Sequence, residues 1–517
     1  MEFRTRLKVK GGVDNRMASS IEKQDMNRSG WSTLIILSCL GLIVMFDETM
    51  ILPAIPDFIR DYNISYSTSS WLLSAYIIAA AVMTPIGGKL SDIYGKKKIL
   101  LIVMAIYAVG ILAGRFATDF EFMLAARAAQ GVGMAMFPIA FGIIREVLPE
   151  KKLAIGQTIF SSTFSGGAVV GLIGGAAIIQ NFGWQATFLA ILPVAIALWL
   201  IILRFVHVQS PGVAASMEAG GNGNLSNDRT IDIKGTLLLA TTIITFLAGI
   251  TFLEASNTGA GTGYQVAGLF AASGVSLAAF IIVEKRVHSP LLDFKIMTSK
   301  SFLPPTIILM LVFMSIFMVY LTIPVMVRSP EPLGFGGDAV AVAAVQLPFM
   351  VVLLIGTIMS GFILNRIKNT KLTLIGTVIS AIGFFILFMF HSTESMVSAG
   401  LAILAAGLSL SITGAFNVIL LSVPMQVTGV ALGMTLLLNL VGMSVGPALA
   451  GIFQQMNQGV VQGVPGLFPT ESAYNLIFIT AALVSLASVA MAYSVVRRKI
   501  TPAMITANQQ EAVKDNT

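Results

Sequence analysis

Fourteen apolar runs, each close to the ~20 residues that a helix needs to cross a ~30 Å hydrocarbon core, follow one another along the chain with little between them. They fall near 31–52, 71–90, 99–115, 122–144, 153–179, 186–203, 235–253, 263–283, 302–325, 339–364, 372–390, 396–423, 430–453 and 474–496. Charged residues make up only 11% of the 517, against the roughly 25% typical of a soluble domain. Hydrophobic residues make up 56%, with a mean hydropathy of +0.86. That excludes a cytosolic enzyme, a disordered scaffold and a secreted domain. The runs are too long and unbroken for alternating barrel strands. The first is too long for a signal peptide, lacks a small-residue cleavage site and leads at once into another span. The chain reads as an all-α integral membrane protein.

The net charge of +7 reflects topology, with no need of a nucleic-acid partner. Of the 32 Lys and Arg, 28 lie before Trp31, at Lys89 and Lys96–Lys98, at Arg145, Lys151 and Lys152, within 204–234, 285–300 and 366–371, and after Val496. With fourteen spans these segments all fall on one side. Only Arg60 and Arg328 fall on the other, and Arg115 and Arg127 lie at or within spans. The positive-inside bias puts both termini in the cytoplasm of a multi-pass cell-membrane protein.

A polar Gly-, Asn- and Ser-rich stretch after the sixth span and a charged connector after the eighth divide the spans six, two and six. The expected organisation is a cytoplasmic segment (1–30), a six-helix bundle (31–206), a linker with two extra helices (207–300), a second six-helix bundle (301–496) and a cytoplasmic tail (497–517). Two bundles facing each other across a cavity form a transporter architecture. A membrane enzyme or receptor is the competing class, but the three His (His207, His288, His391) sit at span ends or in connectors. The single Cys39 rules out a disulfide framework or thiolate metal site. No metal or other cofactor is expected. Without a Walker-type phosphate loop, energy has to come from a gradient.

The loop between spans 2 and 3 reads Gly88-Lys89-Leu90-Ser91-Asp92-Ile93-Tyr94-Gly95-Lys96-Lys97-Lys98. It resembles the loop 2–3 motif of the major facilitator superfamily at Gly88, Leu90, Asp92, Gly95 and Lys97, with Lys96 keeping the charge of a usual Arg and Ile93 replacing another. The resemblance implies a gate that latches the bundles in the outward-facing state. A plain positive-inside loop is the alternative.

Span 1 contains Asp47-Glu48-Thr49 and ends Pro53-Ala54-Ile55-Pro56. An ionised, unpaired acid inside a membrane costs several kcal/mol, so such a residue is protonated or faces water and a partner. At ~1.5 Å per residue, Asp47 lies ~24 Å from Trp31. Glu48 is turned ~100° away around the helix. The segment is similar to the helix 1 motif of the fourteen-span drug:H⁺ antiporter family, with Pro53 as the departure. The bland alternative is a pair of acids capping a shorter helix.

Span 4 carries Arg127-Ala128-Ala129-Gln130-Gly131-Val132-Gly133, similar to the superfamily's helix 4 motif at Arg127, Gln130, Gly131 and Gly133. Arg127, ~8 Å in from Phe122, falls at the depth of Asp47. Span 5 carries Gly167, Gly171, Gly174 and Gly175, resembling the antiporter helix 5 motif, but with Leu172 where that motif has proline. Gly442 to Gly446 and Gly361 to Arg366 look like partial copies in the second half, as a pseudo-twofold duplication would leave.

The resemblance implies proton-coupled efflux of hydrophobic or cationic small molecules by alternating access, with Asp47, Glu48 and Arg127 as proton-coupling residues. Gln346, Asn417 and Asn439 are the remaining polar residues within the second bundle, candidates for the substrate cavity or for helix–helix bonding. The expected partners are a small-molecule substrate, protons and the lipid bilayer, with the protein acting as a monomer. Two alternatives stay open: a metabolite uniporter or importer of the same fold, and a non-transporting sensor or lipid-modifying protein.

Overall fold

A computed structural model describes residues 28–206, 233–255, 260–286, 297–364, 366–423 and 428–497. Most of the expected N-terminal segment, the 207–232 linker, residues 287–296 of the connector, Asn365 and the tail beyond 497 lie outside the described residues, as does the Asp92 side chain.

The first half runs α1 (Arg28–Met50), α2 (Ile55–Asp61), α3 (Tyr66–Ser69), α4 (Trp71–Tyr94), α5 (Lys96–Arg115), α6 (Phe120–Gly131), α7 (Met136–Val147), α8 (Glu150–Phe182) and α9 (Gln185–Phe205). Then come α10 (Ile233–Ala255) and α11 (Ala260–Glu284). The second half holds α12 (Leu303–Arg328), α13 (Ala339–Leu364), α14 (Asn369–Met389), α15 (Glu394–Leu421), α16 (Thr428–Met456), a hairpin of β1 (Gln458–Val461) and β2 (Val464–Pro469), and α17 (Glu471–Arg497). Among the described residues, 13 helices are long and apolar enough to span a membrane. The fourteenth expected span is α10, whose shorter apolar stretch is Leu237–Ile250.

Two spans that read as single runs are jointed. Neither Pro53 nor Pro56 has an N–H to donate four residues back, so the chain tightens into a 3₁₀ turn over Leu52–Ala54 between α1 and α2. The fourth span tightens likewise over Val132–Ala135, between α6 and α7. Pro138 has no N–H for the Met134 carbonyl there. The hairpin, antiparallel with Gln458 opposite Pro469, was not expected among so many apolar helices.

Helices α1 and α4–α9 pack with one another, and so do α12–α17; α8 meets α13 and α4 meets α16 across the boundary. The inserted α10 and α11 pair together, with α10 against α4 and α16. One apolar cluster belongs almost wholly to the first bundle. The other joins the two, mixing Leu52, Tyr76 and Leu172 with Val319, Met350 and Leu404.

The seam between α1 and α8 is made by glycine. A Cβ on Gly171 would collide with the backbone of Phe46 and the hydroxyl of Thr49; one on Gly175 would come 2.6 Å from Met50 Cα. Backbone meets backbone there, which no larger residue allows. Leu172, in place of the expected proline, leaves α8 unbroken over 33 residues and is itself buried in the shared cluster.

Candidate functional site

Asp47 and Arg127 are both fully buried and stand 3.9 Å apart, Asp47 Oδ2 to Arg127 Nη1. Counting along spans 1 and 4 anticipates that shared depth. Arg127 is held on three sides: Nε donates to the Leu72 carbonyl at 3.1 Å, Nη1 donates to Gln130 Oε1 at 2.6 Å, and the guanidinium lies 4.5 Å from the centre of the Tyr76 ring. Gln130 is fixed in turn by donating to the Gly110 carbonyl at 3.0 Å.

Asp47 is held far less firmly. Neither carboxylate oxygen has a hydrogen bond of ordinary geometry, nor has the Tyr107 hydroxyl that faces it. A buried carboxylate normally accepts several hydrogen bonds. One with none, beside an arginine anchored through Nε and Nη1 to other groups, can gain or lose a proton without breaking a hydrogen-bonded network. Glu48, on the next position, is only partly buried; Arg127 acts electrostatically on it as well as on Asp47.

The motif glycines build this site. A Cβ on Gly131 would run into the Tyr76 carbonyl, and one on Gly133 would sit 2.7 Å from the Tyr107 ring. Their absent side chains let α4 and α5 press both tyrosines against the Asp47–Arg127 pair. Thr49 ties α1 to α8 by donating to the Ala168 carbonyl at 3.1 Å. Gly167 meets the Leu42 backbone, and Gly174 only the Phe46 ring, at 3.3 Å.

The loop 2–3 residues lie at the far end of α4. Gly95 takes φ 101°, a left-handed value that a side chain would resist, and so turns the chain from α4 into α5. Lys96 pairs with Glu146 of α7, and Lys97 Nζ donates to the Leu203 carbonyl of α9 at 2.8 Å. Leu90 packs on the first bundle's own cluster, and a Cβ on Gly88 would approach only Pro138, at 3.9 Å. The Lys96–Glu146 and Lys97–Leu203 bonds both lie within the first bundle.

The opposite end joins the bundles. Arg328 of α12 grips Asp57 of α2 through Nη1 at 2.5 Å and Nη2 at 2.9 Å, and Nη1 also donates to the Pro53 carbonyl at 3.0 Å. The 3₁₀ turn at Pro53 thus presents a backbone acceptor to the other bundle. Arg60, Asp61 and Trp184 surround the pair, with Trp184 Nε1 donating to Asp61 at 3.0 Å. Burial, with Asp119 and Asp61 nearby, pushes the Tyr62 phenol up to about 12, so it stays protonated and donates to the Ala117 carbonyl at 3.2 Å.

In the second bundle Gln346 is buried with Oε1 unbonded, and Asn439 is buried with both side-chain atoms unbonded. Asn417 donates to the Thr413 carbonyl of its own helix at 2.9 Å. No group of three or more His, Cys, Asp or Glu able to hold a metal occurs among the described residues.

A family model described as Major Facilitator Superfamily matches residues 37–447. The chain is 27% identical to a protein of Mycolicibacterium smegmatis named multidrug efflux pump LfrA, over 86% of this chain and 84% of that one. It is 24% identical to the tetracenomycin C resistance and export protein of Streptomyces glaucescens, over 86% and 80%. Against multidrug resistance protein 3 of Bacillus subtilis it is 25% identical over 67% of this chain, and the match spans 64% of that relative's length.

Proposed function

The chain belongs to the Major Facilitator Superfamily, and from that membership we propose that it exports hydrophobic or cationic small molecules in exchange for protons, by alternating access between its two bundles. The names of its relatives, multidrug and antibiotic exporters, support this reading. The observation that carries it is the buried Asp47–Arg127 pair, where a carboxylate without a hydrogen bond of ordinary geometry stands beside an arginine anchored through Nε and Nη1.

In this reading Asp47 carries the proton. Protonation removes the charge that offsets Arg127, and Arg127 keeps its bonds to Gln130 and Leu72 in either state. The Lys96 end is cytoplasmic, with both chain termini, and the Asp57 end faces outward; residues 31–206 and 301–496 are the two moving bundles. Gly88, Leu90, Asp92, Gly95, Lys96 and Lys97 gate the inner side, and the glycines of α8 hold α1 against it. The protein works as a monomer in the cell membrane, without a nucleic-acid partner.

The test is transport by purified protein in proteoliposomes under an imposed pH gradient, with dye efflux as readout. The expected result is gradient-driven flux that Asp47→Asn abolishes. Flux indifferent to the gradient, or unchanged in Asp47→Asn, would overturn the proton assignment.

A further inference from the structure

The hairpin between α16 and α17 is firmly mounted and left bare on one side. Its base is closed by Thr470, whose N–H and hydroxyl both donate to the Asn457 carbonyl, at 2.9 and 3.2 Å. Asn457 Nδ2 donates in turn to the Phe453 carbonyl of α16 at 3.1 Å. One face of the hairpin is occupied. A Cβ on Gly459 would stand 3.3 Å from Leu333, in the loop that follows Arg328, so the hairpin sits at the Asp57–Arg328 end of the molecule.

The other face is apolar and open. Gly459 pairs with Phe468, and strand alternation turns the adjoining Val460 and Leu467 away from Leu333. Val460 is 72% exposed and Leu467 54%. None of the fourteen residues 457–470 carries a charge, whereas neighbouring segments at this end carry Asp57, Arg60, Asp61, Glu331 and Asp338. Edge strands that face water are ordinarily guarded by lysines or other charges, and an uncharged apolar hairpin standing in water invites aggregation.

The surroundings favour lipid over a protein as the cover. Exposed apolar side chains continue from Met456, the last residue of α16, through Val460 and Leu467 to Leu476 near the start of α17, so the open face prolongs the surface that these spans turn to the bilayer. Strand addition by a second chain has little to build on. Strand β1 is four residues long, and β2 contains Pro465 and Pro469, which have no N–H to offer.

We propose that the hairpin is a membrane paddle: Val460 and Leu467 enter the headgroup–acyl boundary of the leaflet at the Arg328 end, ~5–10 Å deep as interfacial apolar faces do, and moor the adjoining ends of α16 and α17 there. Its opposite face carries Leu333, so the loop after Arg328 rests on a platform fixed in lipid. The proposal needs only the spans, and it stands or falls apart from the proton assignment.

The test is power-saturation electron paramagnetic resonance of single nitroxide-labelled cysteines in the full-length Cys39→Ser protein, reconstituted in phospholipid nanodiscs. Oxygen serves as the lipid-soluble relaxant and a nickel chelate as the aqueous one. Val460→Cys and Leu467→Cys are compared with Leu483→Cys, 58% exposed within α17, and with Glu331→Cys, exposed in the charged loop at the same end. At both hairpin sites the ratio of oxygen to nickel accessibility should exceed that at Glu331 by about threefold or more, approaching that at Leu483. A ratio equal to that at Glu331 would place the hairpin in water and overturn the proposal. Exclusion of both relaxants would reveal a protein contact, such as a second copy of the chain, and would overturn it equally. Should the label disturb the fold, Leu467→Trp decides. Its added fluorescence should be quenched by phospholipid brominated high on the acyl chain and spared by iodide, and the reverse pattern would count against the paddle.

Discussion

Arg328 and Asp57, 271 residues apart, meet as a two-pronged ion pair at 2.5 and 2.9 Å and tie the end of α12 to the joint between α1 and α4. Both side chains are mostly shielded, 18% and 10% exposed, and the same guanidinium holds the Pro53 carbonyl. A bidentate pair of this kind is stronger and more directional than a surface lysine contact. Opening this end has to break it.

Arg328→Ala should therefore favour the state in which the Asp57 end is open. Ala339, buried against this pair, gives a position for a reporter cysteine once Cys39 is replaced by serine. Removing one partner of a part-buried pair costs about 1.4 kcal/mol or more, so maleimide labelling in detergent should speed up about tenfold. Asp57→Arg combined with Arg328→Asp should bring the rate back toward wild type. Equal rates in all three proteins would mean that the pair does not hold the end closed.

Arg127→Lys should fail as a replacement even though it keeps the charge. The guanidinium bonds Leu72 and Gln130 from two different nitrogens while lying on the Tyr76 ring. An ammonium has neither the planar fork nor that reach. Flux driven by a pH gradient should fall about tenfold or more while protein yield and thermal midpoint stay close to wild type. Wild-type flux would show that charge alone suffices.

Leu172→Pro should be tolerated far better than an ordinary proline inside a helix, which costs about 3 kcal/mol. Proline at 172 would deprive the Ala168 carbonyl of its helical donor, and that carbonyl already accepts a hydrogen bond from Thr49 at 3.1 Å. The backbone is provisioned for the residue it lacks. Ala177→Pro on the same helix, without such a donor for the freed Ile173 carbonyl among the described bonds, should lower the thermal midpoint by clearly more. Equal losses would remove Thr49 from the explanation.

Gly171→Val should disrupt the α1–α8 seam, since its Cβ alone would meet the Phe46 backbone and the Thr49 hydroxyl. Overpacking of that kind costs about 1–3 kcal/mol. Gly166→Ala, five positions earlier with open space around its Cβ, should leave the thermal midpoint unchanged. A midpoint for Gly171→Val equal to that of Gly166→Ala would sink the tight-seam argument.

Much of this was legible in the order of residues. Hydropathy marks the spans, and counting from span edges sets Asp47 and Arg127 at one depth, because helical rise is constant. The glycine spacings mark where helices touch. The partners they touch carry no signal of their own. Tyr76 and Tyr107 look like any aromatic on an apolar helix, and only the notches at Gly131 and Gly133 bring them to the acid. Asp57 and Arg328 look like separate loop charges, since nothing local links residues so far apart. The joint at Pro53 stands out as a departure from a motif, but its purpose, a carbonyl offered to Arg328, belongs to tertiary structure.

The seam between α1 and α8 has a mechanical consequence. A contact made of side chains can take up a push by changing rotamers, whereas one made of main chain has nothing to yield. Helix α8 also lies against α13 of the other bundle. Any tilt of α13 would thus reach the stretch of α1 that carries Asp47 and Glu48 through a stiff coupling rod instead of a cushion.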